Sequence, residues 1–283
     1  MFRYGVNCAL EEVPLRNPVI LRGSIEEIAR DAAEIGYNGL ELFIRNPQQY
    51  DGVHLKRVAQ EHGLEFCNIA TGMEYSKNGL SLISDDPAVR RSAIRRLQEH
   101  MDLGKVLGCP VIVGIMRGNI PDFDQYDKYE GYLSEALLEL SEYGRKVGVP
   151  LVLEAILRYI NNYLNTVHET VDYLDRLGCD NILVHIDTHL MNVEDRNPVE
   201  SVLYCEGKLG YVHFSDSNRA YPGGGAVDFK SVLGALMDID YEGYITTECT
   251  PNPTPYLCAQ RGLEYIKSLE RVLQIERAPL YTL

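Results

Sequence analysis

Basic residues are scarce in this 283-residue chain: 27 Lys and Arg stand against 41 Asp and Glu, a formal net charge of −14 at pH 7. Binding a phosphate backbone needs a basic face, so the balance argues against a nucleic-acid partner. Long apolar runs are missing too. No segment approaches the roughly 18 consecutive apolar residues of a membrane span, and MFRYGVNCALEEVPLRNP at the start lacks the apolar stretch and small-residue site of a secretory signal. The expectation is a soluble, cytoplasmic protein with no membrane partner. The seven cysteines are odd in number and scattered, and none forms a CxxC pair. Neither a zinc clamp nor a redox couple is expected; they read as free thiols, mostly buried. No Pro-, Gly- or Ser-rich linker and no low-complexity tract divides the chain, so residues 1–283 read as one domain. Hydrophobic residues at 45% and charged residues at 24% leave enough apolar surface for a substantial core.

What is present is a repeated unit. Eight short β-rich runs, FRYGVNC, GLELFI, LEFCNI, VIVGI, PLVLEA, ILVHID, GYVHFS and GYITTE, recur with helical stretches between them. Ile25, Ile28, Ala29, Ala32, Ala33 and Ile35 keep helical spacing up to Gly36, and Leu97, Met101, Leu103 and Leu107 do so up to Gly108. Thr166 stands three residues before Glu169, the pattern of a capping box, and Asp228 before FKSVLGAL reads as another N-cap. Strands alternating with helices imply parallel pairing through right-handed crossovers, and eight units close most simply into a single (β/α)8 TIM barrel, an α/β fold. An open doubly wound sheet is the rival, but no GxGxxG follows the first strand.

In such a barrel the chemistry sits where strands end and βα loops begin. Strand five ends in Glu154, strand six in Asp187, strand seven presents His213 and strand eight ends in Glu248, with successive separations each close to one strand–helix unit. Three carboxylates and an imidazole on one rim repel each other unless a cation lies among them. A shared divalent ion resolves the conflict, against the alternative that each residue is a helix cap or surface charge. The donor set is oxygen-rich, with one nitrogen and no thiolate, which suits Mn²⁺, Mg²⁺ or Co²⁺ better than structural zinc. Strand alternation turns Cys249 to the opposite face from Glu248.

The stretches LEAILRYINNYLNT, IDTHLMNVE, HFSDSNRAYPGGGAVDF and GYITTE, which carry these residues, resemble the xylose-isomerase-like superfamily of sugar isomerases and epimerases. Within it they are most similar to the ketose 3-epimerase branch, and the likeness extends over nearly the whole chain. The resemblance implies Glu154, Asp187, His213 and Glu248 as metal ligands, Mn²⁺ first among the ions. It also implies Glu154 and Glu248 as the acid/base pair, moving a proton through an enediolate intermediate, and a small carbohydrate as substrate. Arg219 matches the family's substrate-binding arginine, and Arg158 matches an arginine that supports the site, where an ion pair is an equal alternative. A homo-oligomer is expected.

Two departures from the family pattern bear on the substrate. The family writes Glu-x-x-Asn-Arg-x-Glu after strand five, but here Leu157 replaces the Asn and Ile160 the second Glu. It writes Asp-x-x-His after strand six, but here Leu190 holds that place and His189 precedes it. The pocket is therefore expected to be less polar, with His189 shifting to restore one substrate contact. The alternatives are a different sugar, a smaller hydroxyacid such as hydroxypyruvate, or a sugar bearing an apolar group. The last belongs to C-glycoside-cleaving enzymes, whose catalytic subunit works with a second, small subunit. The leading expectation is a metal-dependent ketose 3-epimerase. The others are a lyase on the same scaffold, including a sugar or inosose dehydratase, and hydroxypyruvate isomerase. Apurinic endonucleases share the barrel, but the acidic charge argues against them.

His185 shares strand parity with Asp187 and is expected to pack one layer deeper with a hydrogen-bonded ring, while Glu41 either reaches the pocket or pairs structurally. His54, His62, His100 and His168 fall on helices away from the rim. The run Pro222–Gly225 lacks the Lys-Ser/Thr of a nucleotide loop and is expected to shape the turn beside Arg219. The proline-rich stretch 250–258 is expected to wall the mouth.

Overall fold

The computed structural model describes residues 2–278. The eight β-rich runs form eight parallel strands: β1 (Arg3–Ala9), β2 (Gly39–Phe43), β3 (Glu65–Ala70), β4 (Val111–Val113), β5 (Leu151–Glu154), β6 (Ile182–Asp187), β7 (Leu209–Phe214) and β8 (Tyr244–Thr247). Each pairs with the next in sequence, and β8 pairs back onto β1, Tyr244 opposite Arg3 through Thr247 opposite Val6, which closes the barrel. A two-residue ladder, Leu21–Arg22, lies beside the end of β1. The outer ring is α1 (Ile25–Ile35), α2 (Gly52–Glu61), α3 (Pro87–Leu107), α4 (Tyr126–Val147), α5 (Val167–Leu177), α6 (Pro198–Tyr204), α7 (Phe229–Asp238) and α8 (Pro255–Arg277). Short rim helices, Glu74–Asn78 and Thr188–Glu194, follow β3 and β6.

The helix boundaries follow the chemistry of their ends. Thr166 and Glu169 form the reciprocal capping box expected from their spacing, and Ser24 with Glu27 forms a second one at α1. Each box satisfies amides that no helical carbonyl reaches. Asp228 accepts from the Ser231 amide to cap α7. Helices α1 and α3 stop at Gly36 and Gly108, whose φ of 99° and 85° lie in the left-handed region that a side chain disfavours.

Period-two alternation sorts each strand into two faces. Outward-facing Val6, Leu40, Leu42, Val111, Leu151, Leu153, Val184 and Ile186 are fully buried under the helices. Inside the barrel, Cys67, Ile112, Val152, Tyr211 and Tyr244 fill the floor with Leu183 packed against them. Above that apolar plug the interior residues become polar: Asn7, Glu41, Asn68, His185 and Thr246 are all fully buried. A register shift between Val184 and His185 realigns β6 with β7 and sets Asp187 opposite His213. The polar layer therefore rises towards the C-terminal ends of β5 to β8.

Candidate active site

Glu154, Asp187, His213 and Glu248 gather around the His213 ring above the plug, where ligand atoms of Glu154, His185 and His213, and those of Glu41, His213 and Glu248, lie within 4.8 Å of one another. In register, Glu154 stands opposite His185, Asp187 opposite His213, and His213 opposite Thr246. Glu248 continues the ladder just past β8, its amide donating to the Phe214 carbonyl at 3.1 Å. The His213 ring is held from below, with Nε2 donating to Glu41 Oε2 at 2.7 Å. Its Nδ1 points up, 3.5 Å from Glu248 Oε2 and 4.0 Å from Asp187 Oδ2, without a hydrogen-bond partner. Asp187 divides its two oxygens. Oδ1 caps the rim helix by accepting from the amides of His189 (2.7 Å) and Leu190 (3.4 Å), and Oδ2 faces the site.

Arg219 spans the top, one guanidinium nitrogen bonded to Asp187 Oδ2 and the other to Glu248 Oε2 at 2.6 Å. Its backbone has a φ of 61°, left-handed and strained for a side chain of this size. Two loops hold it there: the Arg219 amide donates to the Asp216 carbonyl at 2.8 Å, and the Arg219 carbonyl accepts from the amide and hydroxyl of Thr250 at 2.9 and 3.0 Å.

Burial and crowding shift every charge in this cluster. Burial, reinforced by Glu248, pushes the Glu154 carboxyl up to about 8. Burial also pushes Glu248 up, to about 7, against the pull of His213 and Arg219. For His213 burial favours the neutral ring, but Glu41, Glu248 and Asp187 outweigh it and raise the imidazole to about 10. Asp187 is buried as deeply, yet Arg219 and His213 hold it below the ordinary carboxylate range. Two buried carboxylates, Asp187 and Glu248, the partly buried Glu154 and an unpartnered imidazole nitrogen directed at the first two fit a divalent cation, both in donor chemistry and in the orphaned Nδ1.

Three of the four, Glu154, His213 and Glu248, border a cavity of about 380 Å³ reaching the barrel mouth. Glu154, His213, Glu248 and Arg219 line its floor, and Ile115, Ile156, Ile160 and Leu190 line one wall. His189 does not reach it. The ring Nδ1 lies 3.1–3.2 Å from the carbonyl oxygens of Ser217 and Asp216, tying the rim helix to the Arg219 loop, while its neighbour Leu190 turns inward. Arg158 is also outside, paired at the surface with Glu194 at 2.7 Å and donating its amide to the same carboxylate. Of the expected substrate contacts, only Arg219 joins the floor.

A sequence model of the xylose isomerase-like TIM barrel matches residues 29–269. The chain belongs to that family. The L-ribulose 3-epimerase of Methylomonas sp. (strain DH-1) is 32% identical over 246 residues, covering 82% of each chain. The ketose 3-epimerase of Arthrobacter globiformis is 28% identical over 217 residues, or 76% of this chain and 74% of its own. Among solved structures, the D-allulose 3-epimerase from Methylomonas sp. in complex with D-allulose superposes with a TM-score of 0.80 at 27% identity, over 94% of this chain and 96% of that one. This xylose isomerase-like barrel is an enzyme of the isomerase and epimerase class.

Several residues that organise the barrel's rim were not singled out from sequence. Arg117, fully buried, bonds Asn161 Oδ1 at 2.7 Å and the carbonyls of Glu154, Tyr163 and Leu164, so one guanidinium fixes both ends of the loop after β5. Asp216 gathers the amides of Ser217, Gly223 and Val227 at 2.8–3.1 Å. The glycine run thus wraps a carboxylate and shapes the Arg219 loop, as expected. Glu41 proves to be the partner of His213. His185 packs edge-on beneath His213, ring centroids 4.3 Å apart, but neither of its nitrogens has the hydrogen bond expected of it. Burial holds His185 well below the ordinary imidazole range and therefore neutral. The stretch 250–258 contributes Thr250 to holding Arg219 but does not line the cavity.

Proposed function

We propose that this chain is a divalent-metal-dependent ketose 3-epimerase in which Glu154 and Glu248 move the proton. The observation that carries the reading is the pair itself. Two glutamates, Glu154 at the end of β5 and Glu248 just past β8, both line the floor of one cavity, where a carboxylate on either side of a substrate carbon can take up and give back its proton. The likeness to named ketose 3-epimerases supports the substrate class.

Glu154, Asp187, His213 and Glu248 would hold the cation, and their one-nitrogen, three-carboxylate set matches Mn²⁺, with Mg²⁺ or Co²⁺ as substitutes. When bound, such an ion would draw electron density from an adjacent carbonyl and hydroxyl and acidify the C–H they share. One glutamate takes that proton from one face of the carbon; the other delivers a proton to the opposite face and inverts the centre. Delivery to the neighbouring carbon instead would make an isomerase. Arg219 orients the substrate oxygens with its planar guanidinium. The seven thiols, six buried and none in a disulfide, support a reducing compartment such as the cytoplasm.

The test is incubation of Mn²⁺-loaded protein with free ketoses in D₂O, followed by NMR and mass spectrometry. Deuterium at carbon 3 with the skeleton and mass otherwise kept is expected, and Glu154→Gln and Glu248→Gln should each lose turnover while remaining folded. Release of water from a ketose, or of an aglycone from C-glycosides incubated in parallel, would instead establish a lyase. Substantial turnover in either variant would remove that glutamate from the proton-moving role.

A further inference from the structure

Apolar side chains line the cavity on both sides, Phe43 and Met73 on one and Ile156 and Leu190 on the other, but above the floor its polar side chains stand on one side only. Around the barrel, β5 and β6 stand diametrically opposite β1 and β2. Ile156 lies two residues past Glu154, and Leu190 three past Asp187. With Leu157 they form a buried apolar cluster, against which Ile115 packs. Ile115, Ile156, Ile160 and Leu190 face the cavity, and none has a side-chain hydrogen-bonding group. The other polar side chains that reach the cavity, Arg16, Asn17, Thr71 and Ser76, come from the segments after β1 and β3. A substrate whose reacting carbon lies between Glu154 and Glu248 therefore has one end against an apolar wall carried by the loops after β4, β5 and β6.

We infer that this end of the substrate carries no hydroxyl: the preferred ligand is a ketose deoxygenated at one terminal carbon, presenting a methyl group to Ile156, Ile160 and Leu190. The inference rests on the epimerase reading of the floor. A terminal CH₂OH placed there gives up its hydration and meets no partner, whereas a methyl group buries apolar surface against three aliphatic side chains. An apolar pocket rejects an added hydroxyl by roughly 10- to 100-fold, which sets the scale of the preference.

The experiment uses ketopentoses and ketohexoses, each beside its 1-deoxy and its terminal-deoxy counterpart of the same configuration. Exchange of deuterium at carbon 3 is measured with the Mn²⁺-loaded protein, and binding is measured separately by the rise in melting temperature of Glu154→Gln. One deoxy series should exceed its parents by about tenfold or more in kcat/KM and give the larger thermal shift, and whichever series does so identifies the end that meets the wall. Parents that serve as well as both deoxy series overturn the inference and leave the epimerase reading standing. Absence of exchange with any ketose overturns the epimerase reading, and the thermal shifts then judge the wall by themselves. Ile160→Gln, at a half-exposed loop position, should move the preference back towards the hydroxylated parents. A preference unmoved both by it and by Leu190→Asn overturns the assignment to this wall.

Discussion

Glu41 decides which nitrogen of His213 faces the cavity. With Nε2 committed to its carboxylate, Nδ1 alone is left to meet a cation, the arrangement in which a carboxylate behind an imidazole fixes the ring's orientation and raises its basicity. Glu41→Gln keeps the shape and an accepting oxygen but removes the charge. Affinity for Mn²⁺, measured by calorimetry, is expected to fall about 10- to 100-fold with the fold intact; an unchanged affinity would make Glu41 only a packing partner. Glu154, Asp187, His213 and Glu248 were legible in the sequence because strand period and repeat length bring them to one rim. The role of Glu41 was not, because its partner is 172 residues away and the pairing depends on barrel register. His189 and Leu190 show the finer limit. Which of two adjacent residues turns inward is decided by how Asp187 caps the rim helix through both their amides, and spacing alone does not state that.

Among the elements, the helices were the most legible, since their ends are written in short-range chemistry: Thr166 with Glu169, Asp228, Gly36 and Gly108 all do what their spacing implies. The loop after β5 was opaque, because its anchor, Arg117, sits on the preceding unit and works through backbone carbonyls that sequence does not distinguish. His100 on α3, placed away from the rim as a surface or packing residue, is a packing one. It is completely enclosed, with ring nitrogens 2.7 Å from the Arg96 carbonyl and 3.2 Å from the Ile44 carbonyl. Burial lowers it from 6.5 to about 4. The unfolded chain then takes up a proton at higher pH than the fold does, so this residue's contribution is complete above pH 6.5 and is lost progressively as pH falls towards 4. At pH 5 the loss is about 2 kcal/mol. Urea unfolding of the wild type should show it between pH 7 and pH 5, and His100→Gln should lack that part of the change. An identical pH response in the two proteins would mean that His100 titrates alike in both states.

For the whole molecule, eight strand–helix units predicted a closed barrel, and the pairing of β8 with β1 delivers it. Closure is also what concentrates the site, since four consecutive strands tilt their ends towards one axis and place like charges within a few ångströms of one another. The apolar wall was foreseen only as a loss of polarity at Ile160 and Leu190. Its continuity with Ile115 and Ile156 needed the loops in three dimensions. The crowded rim makes a prediction for the molecule as a unit. The Glu154 and Glu248 carboxyls, raised from 4.5 to about 8 and about 7, and the His213 imidazole, raised to about 10, carry protons at neutral pH that a cation must displace. Cation affinity should therefore rise with pH from 6 to 8, with net proton release seen as a dependence of binding heat on the buffer's ionisation enthalpy. A cation that binds only the fold stabilises it by about 2.7 kcal/mol at 100 times its Kd, which for a chain of this size raises Tm on the order of 5 °C. The Tm of EDTA-treated protein should climb on adding a fixed concentration of Mn²⁺, and climb further at pH 8 than at pH 6. A gain that is larger at pH 6 would mean that the rim binds cations without giving up protons, and would remove these four residues as the ligand set.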